Sequence, residues 1–155
     1  MHCKMRILFI LFFIGVLCSC GKSGLYEKLH AFPKHEWSSA DSASFDVNIE
    51  DTVSPHQVYL IFRHSDSYHF KNLWLQIQVK APDSTYSLRR EFTLADNEKW
   101  LGSGMNDIYE HRIPFSAAPT VLRKGTYHFV LRQAMREDPL ENVVNVGLRV
   151  EKIAE

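Results

Sequence analysis

From Ser44 onward, apolar and polar residues alternate with a period of two. Phe45, Val47 and Ile49 alternate with Asp46, Asn48 and Glu50, which in an extended segment gives one apolar and one wet face, because successive strand side chains point to opposite sides. Leu73, Leu75, Ile77 and Val79 alternate with Trp74, Gln76, Gln78 and Lys80 in the same way. Tyr127, Phe129 and Leu131 share a face within Thr126 to Gln133, and Val144, Val146, Leu148 and Val150 do so in the last run. Val58-Tyr59-Leu60-Ile61-Phe62 is nearly continuous, the pattern of a central strand covered on both sides. Thr85 to Leu94 places Tyr86, Leu88, Phe92 and Leu94 on one face, interrupted by Arg90, and Asp107 to Phe115 reads as a further strand ended near Pro114.

The breaks carry turn chemistry: Ser54-Pro55, Ala81-Pro82-Asp83-Ser84, Gly102-Ser103-Gly104, Arg123-Lys124-Gly125 and Asp138-Pro139. About seven or eight strands at this spacing predict an all-β fold, a single antiparallel β-sandwich of Ig-like or jelly-roll-like form. The best helical stretch is a turn or two at Gln133-Ala134-Met135-Arg136, stopped by Pro139.

The N-terminus follows a different logic. Lys4 and Arg6 precede the apolar run Ile7 to Cys18, a basic n-region and a short h-region. The run is too short to span a bilayer, which takes about 20 apolar residues in a helix, so it reads as a signal that is removed. Leu17-Cys18-Ser19-Cys20 resembles the bacterial lipobox, with an aliphatic residue three before Cys20 and a small one directly before it. The Cys20 thiolate is the soft nucleophile that takes a diacylglyceryl group as a thioether, and cleavage then frees its amine for a further acyl chain such as palmitate. Two or three chains anchor stably where one does not. Gly21-Lys22-Ser23-Gly24 contains no acidic residue, which by resemblance to lipoprotein sorting rules predicts the outer membrane, on its periplasmic face. The expected organisation is a signal peptide over 1–19, a lipid-anchored tether over 20–34 and a β-sandwich over 35–155.

Composition sharpens this picture. The 155 residues hold 18 basic and 18 acidic side chains, but cleavage before Cys20 removes Lys4 and Arg6 and leaves a slightly acidic domain. That balance lacks the basic excess of a nucleic-acid-binding chain. All three cysteines, Cys3, Cys18 and Cys20, precede the body, so no disulfide staples it.

Candidate chemistry is sparse. Seven histidines follow the signal (His30, His35, His56, His64, His69, His111 and His128), with no HExxH or paired CxxC spacing, so they read as surface or strand-end residues and no metal site or cofactor is expected. Gly102-Ser103-Gly104 lacks the spacing of a GxSxG elbow, and no catalytic residue is assigned. Two stretches stand out as interaction candidates. One is Lys99 to Tyr109, where Trp100, Asp107 and Tyr109 flank a glycine-rich loop; the other is Gln133 to Leu140, with the charged triplet Arg136, Glu137 and Asp138. Each also has a plain structural reading, in which Trp100 and Tyr109 cover the end of the sandwich and the charges pair locally.

The order of these segments resembles the gliding motility lipoprotein GldH family of Bacteroidetes. The residues that carry the resemblance are the lipobox, Asp51-Thr52-Val53-Ser54-Pro55, Asn72-Leu73-Trp74-Leu75, Lys99-Trp100-Leu101-Gly102-Ser103-Gly104 with Asp107-Ile108, Gln133-Ala134-Met135-Arg136-Glu137-Asp138-Pro139-Leu140, and Val146-Gly147-Leu148-Arg149. The resemblance implies a lipoprotein without assigned catalysis that serves as a binding or scaffold module among envelope proteins of the gliding machinery. Of the matched positions, only Cys20 transfers a chemical role. The alternative expectation is a glycan-binding sandwich, which would need Trp74, Trp100 and Tyr109 coplanar on an open surface.

Overall fold

The computed structural model describes residues 25–153. The signal region, Cys20 and the start of the tether lie outside the described residues.

Among the described residues fourteen strands follow one another: β1 (Leu25–Ala31), β2 (Glu36–Trp37), β3 (Ala43–Ile49), β4 (Pro55–Ser65), β5 (Asn72–Lys80), β6 (Thr85–Thr93), β7 (Ala95–Asp96), β8 (Lys99–Trp100), β9 (Ser103–Met105), β10 (Ile108–Pro114), β11 (Thr120–Val121), β12 (Gly125–Gln133), β13 (Leu140–Glu141) and β14 (Val143–Lys152). Eight of them are seven residues or longer, and the rest are two- or three-residue pieces that trim the loops. Every pairing is antiparallel. One sheet runs β1-β14-β4-β10-β9, with β11 beside the start of β4, and the other runs β3-β12-β5-β6. The result is the expected two-sheet sandwich.

The alternating runs meet across its middle. Phe45, Val47 and Ile49 from β3, Leu73 to Val79 from β5, and Tyr127, Phe129 and Leu131 from β12 face Leu60, Phe62, Val146, Leu148 and Val150 of the other sheet in one buried cluster. Burying each such side chain stabilises by roughly 1.5–3 kcal/mol, which is how a body without disulfides holds together.

Three expectations are corrected. Leu25–Ala31, assigned to the tether, is an edge strand paired with β14 along its whole length, from Leu25 opposite Glu151 to Ala31 opposite Asn145. Its apolar residues show no sustained alternation, as suits an edge strand that buries little; Glu27, Lys28, Leu29 and His30 are exposed, while Tyr26 packs against the core. No helix forms among the described residues at Gln133–Arg136, where Gln133 ends β12 and the chain turns. Half of the expected apolar face of β6 is uncovered, with Tyr86 50% and Leu88 38% exposed, because β6 is the outermost strand of its sheet. Arg90, the odd residue on that face, lays its guanidinium over the Phe92 ring at 4.9 Å and donates to the Phe115 carbonyl, so its charge sits at the border of the core fully engaged.

The registers define two ends. Leu25, the start of β4 and the end of β14 lie together, since Leu25 pairs with Glu151 and His56 with Lys152. At the opposite end lie His64, Ile108, Val143 and the termini of β12 and β5 near Gln133 and Leu75. The first is the entry end, where the described chain begins, and the second is the distal end.

Candidate functional site

Both sequence segments singled out above converge on the distal end. Leu60, Phe62 and His64 share one face of β4, and Tyr109, His111 and Ile113 share one face of β10, with His111 opposite Phe62 and Tyr109 opposite His64. Alternation therefore carries the two histidines inward at the end of the core. His64 and His56 sit at the two ends of β4, as strand-end residues, but both are buried (0% and 7% exposed), and His111, 2% exposed in the middle of β10, corrects the expectation of a surface or strand-end place. His128 does face outward, 2.6 Å from Asp46.

The His64 and His111 rings bond through their Nε2 atoms at 2.9 Å, and His64 Nδ1 lies 2.7 Å from the Ser65 carbonyl. A carbonyl only accepts, so His64 Nδ1 carries its proton. His64 Nε2 then accepts from the Nε2–H of His111, and both rings are neutral. Burial pushes both pKa values down, that of His111 to about 4, with the neighbouring His64 adding to the effect.

A roof of aromatics closes over this pair. Trp100 meets His64 edge-on at 4.4 Å between centroids and donates its Nε1–H to Asp66 at 3.1 Å, and Tyr109 stacks near His64 at 5.9 Å. Two glycines make the roof fit. A Cβ on Gly104 would stand 2.9 Å from the Tyr109 ring, and one on Gly102 would stand 2.5 Å from the Glu110 carbonyl oxygen. The glycine-rich loop is thus a tight backbone cover, and Trp100 and Tyr109 play the structural part. Asp107 contributes its backbone, whose carbonyl accepts the Asp66 N–H at 2.7 Å.

The second segment wraps the neighbouring corner. Gln133 is buried; its amide donates to the Glu137 carbonyl at 3.2 Å and its Oε1 accepts the Met135 N–H at 2.8 Å, which pins the turn that the sequence suggested as helix. Asp138, joined to Pro139 by a cis peptide bond, accepts from the Ser39 N–H at 2.8 Å and from the Ser39 hydroxyl, and these bonds hold its carboxyl below the usual range. Leu140 is buried opposite Trp37, itself fully buried and stacked on Phe32 at 5.0 Å. Arg136 is exposed.

The loop between β4 and β5 joins the two corners. Its Tyr68 packs on Phe62 and His64, its Ser67 carbonyl accepts from Asn142, and His69 Nδ1 lies 3.2 Å from Glu137 Oε1. His69, Glu137 and Glu141 offer ligand atoms within 4.8 Å of one another, a grouping that the sequence spacing did not signal; it is a histidine–carboxylate contact near the surface with a second carboxylate beside it.

Among the described residues, the buried histidine pair is covered by Trp100 and has its ring protons engaged in hydrogen bonds. No aromatic platform forms. Trp100 and Tyr109 are inclined at 45°, and Trp74, on the other sheet, lies under the Arg89 guanidinium at 5.1 Å, so the coplanar surface required for sugar stacking is not present among the described residues. What the distal end presents outward is Leu101, 59% exposed, and Met105, 78% exposed, on the glycine-rich segment over the histidines.

A family model described as GldH lipoprotein matches residues 24–150. A gliding motility lipoprotein GldH homolog of Christiangramia forsetii is 25% identical, covering 98% of this chain and 98% of that protein. The gliding motility lipoprotein GldH of Flavobacterium johnsoniae is also 25% identical, over 88% of this chain and 90% of that protein. Among solved structures, dimeric latent PorU from Porphyromonas gingivalis aligns with 83% of this chain and 13% of its own at 12% identity and a TM-score of 0.36.

Proposed function

The chain belongs to the GldH lipoprotein family, and from that premise we propose that it is a lipid-anchored docking module of the cell envelope, serving a gliding machinery, as the gliding motility in its relatives' names suggests. In this reading Cys20 carries a diacylglyceryl thioether and an N-acyl chain, and the sandwich stands on the periplasmic face of the outer membrane. Its distal end receives envelope proteins, and the domain performs no catalysis. Support for anchoring is the lipobox spacing at Leu17-Cys18-Ser19-Cys20. Support for docking is one observation: two large apolar side chains, Leu101 and Met105, stand exposed on the segment that packs over the Trp100 and Tyr109 roof. Exposed apolar groups on a pre-ordered support are what a protein partner buries at little entropic cost.

The test has two arms. A photo-crosslinking residue at position 101 or 105, in intact cells, is expected to capture a defined envelope protein that the same residue at position 128 does not. Wild-type protein should restore surface spreading to a deletion strain, whereas the pair Leu101→Asp and Met105→Asp should not, with lipidation and thermal stability retained. Full complementation by that double variant refutes distal docking. Absence of lipid label in wild-type protein, with Cys20→Ala identical to it, refutes the anchor.

A further inference from the structure

The entry end has features of its own, and we infer that it rests on the bilayer surface, with the Val53 and Val121 tips seated in the headgroup region. This inference depends on the lipid anchor proposed at Cys20.

The length of chain outside the structure sets the geometry. Leu25 is already in a strand, so only four residues lie between Cys20 and the sheet. Even fully extended, that segment reaches about 18 Å. It joins the sandwich at the end formed by Glu151, Lys152, Pro55 and His56. A domain on so short a leash, held at one end, brings that end to the membrane and points the other away.

The residues of the entry end suit such contact. Val53, in the turn between β3 and β4, is 84% exposed, and Val121, whose strand pairs with Pro55, is 52% exposed. Beside them Tyr86 stands half exposed at the rim of an apolar cleft of about 270 Å³, whose lining includes Val58, Val79, Leu122 and Phe129. Tyrosine, with an apolar ring and a polar tip, is a residue of membrane–water interfaces.

The charged groups at this end are matched in pairs: Lys152 with Asp51, Lys124 with Glu50 at 2.9 Å, and Arg123 with Asp83 at 2.9 Å. Glu27 and Glu151 share Arg149, so among the described residues most carboxylates at this end are held in ion pairs, which lessens their repulsion by anionic headgroups. A protein partner at this end would have to fit between the domain and the membrane within the reach of four residues, which favours the bilayer as the occupant.

The three native tryptophans provide an internal control, because Trp37, Trp74 and Trp100 all belong to the distal half. The mature acylated protein is reconstituted in vesicles of phosphatidylethanolamine and phosphatidylglycerol, with and without brominated acyl chains. The variants are Val53→Trp, Val121→Trp and, as distal reference, Met105→Trp, all at exposed positions where the larger ring has room. We expect the emission added at 53 and 121 to be blue-shifted, quenched by brominated lipid and shielded from iodide, and the emission added at 105 to be open to iodide and indifferent to bromine. If the protein floats with the vesicles but reporters at 53, 121 and 105 are equally open to iodide, the bilayer contact is refuted while the anchor stands. If the protein does not float, the anchor itself is refuted and this inference falls with it.

Discussion

His64 and His111 face each other across the β4 and β10 ladder with one hydrogen bond between their Nε2 atoms at 2.9 Å, and the Ser65 carbonyl decides which ring donates it. Since the carbonyl fixes the proton on His64 Nδ1, a second proton on either ring would remove the acceptor or place a charge in the core. The pair is a folded-state lock that works only in its neutral form.

Acid should therefore loosen the distal end. In the unfolded chain each imidazole titrates near about 6.5, while folded His111 is held down to about 4. Below pH 6.5 the unfolded chain takes up a proton that the folded one refuses. This contribution to stability is fully present above about 6.5 and is lost as pH falls toward 4. Between neutral pH and about 4.5 the loss from His111 is on the order of 2–3 kcal/mol, measurable by urea unfolding across that range. His111→Phe should flatten the slope and cost about 1–3 kcal/mol at neutral pH, because His64 loses its donor. An unchanged slope in that variant would refute the account.

The two loop glycines should respond differently to alanine. At Gly102 the new methyl meets a backbone carbonyl that cannot step aside, whereas at Gly104 it meets a tyrosine ring that can tilt. Gly102→Ala is expected to cost about 1–3 kcal/mol and Gly104→Ala less. Gly104→Ala should also shift Trp100 emission, since Tyr109 and Trp100 share the roof.

Removing the Gln133 side chain should unpin the Gln133–Leu140 turn. Gln133→Ala leaves the Met135 N–H and the Glu137 carbonyl without their partner, at about 1–3 kcal/mol. Hydrogen exchange at the Met135 amide should accelerate far more than at Leu131 in the core; equal protection in variant and wild type would show that the turn is held by other contacts.

A chain that begins at His35 should fail where one that begins at Gly21 folds. Dropping Leu25–Ala31 strips β14 of its outer neighbour and removes the partner of Arg149 on Glu27, leaving a long unpaired edge prone to self-association. The expected loss is several kcal/mol, on the order of 1 kcal/mol per ladder bond, read as a lower unfolding midpoint and as oligomers by light scattering.

Local pattern alone determined the β3, β5 and β12 faces, because a period of two in a half-buried strand leaves no other assignment of inside and outside. It also made Cys20 the candidate lipid-attachment point by its spacing from Leu17, and it brought out Lys99–Tyr109 and Gln133–Leu140 as unusual segments. Tertiary structure alone decided what those segments do. The β4–β10 register turns His64 and His111 inward to meet, a contact between residues 47 positions apart that no local window contains. Pairing with β14 makes a strand of the weakly patterned Leu25–Ala31, since an edge strand is held by its neighbour's backbone and needs few apolar side chains of its own. The short pieces follow the same rule: Glu36–Trp37 and Leu140–Glu141 exist only because the fold sets them side by side. Periodicity reports how a segment divides its own faces between core and water, whereas position, partner and burial at the ends of a sandwich depend on which distant backbone comes to lie alongside.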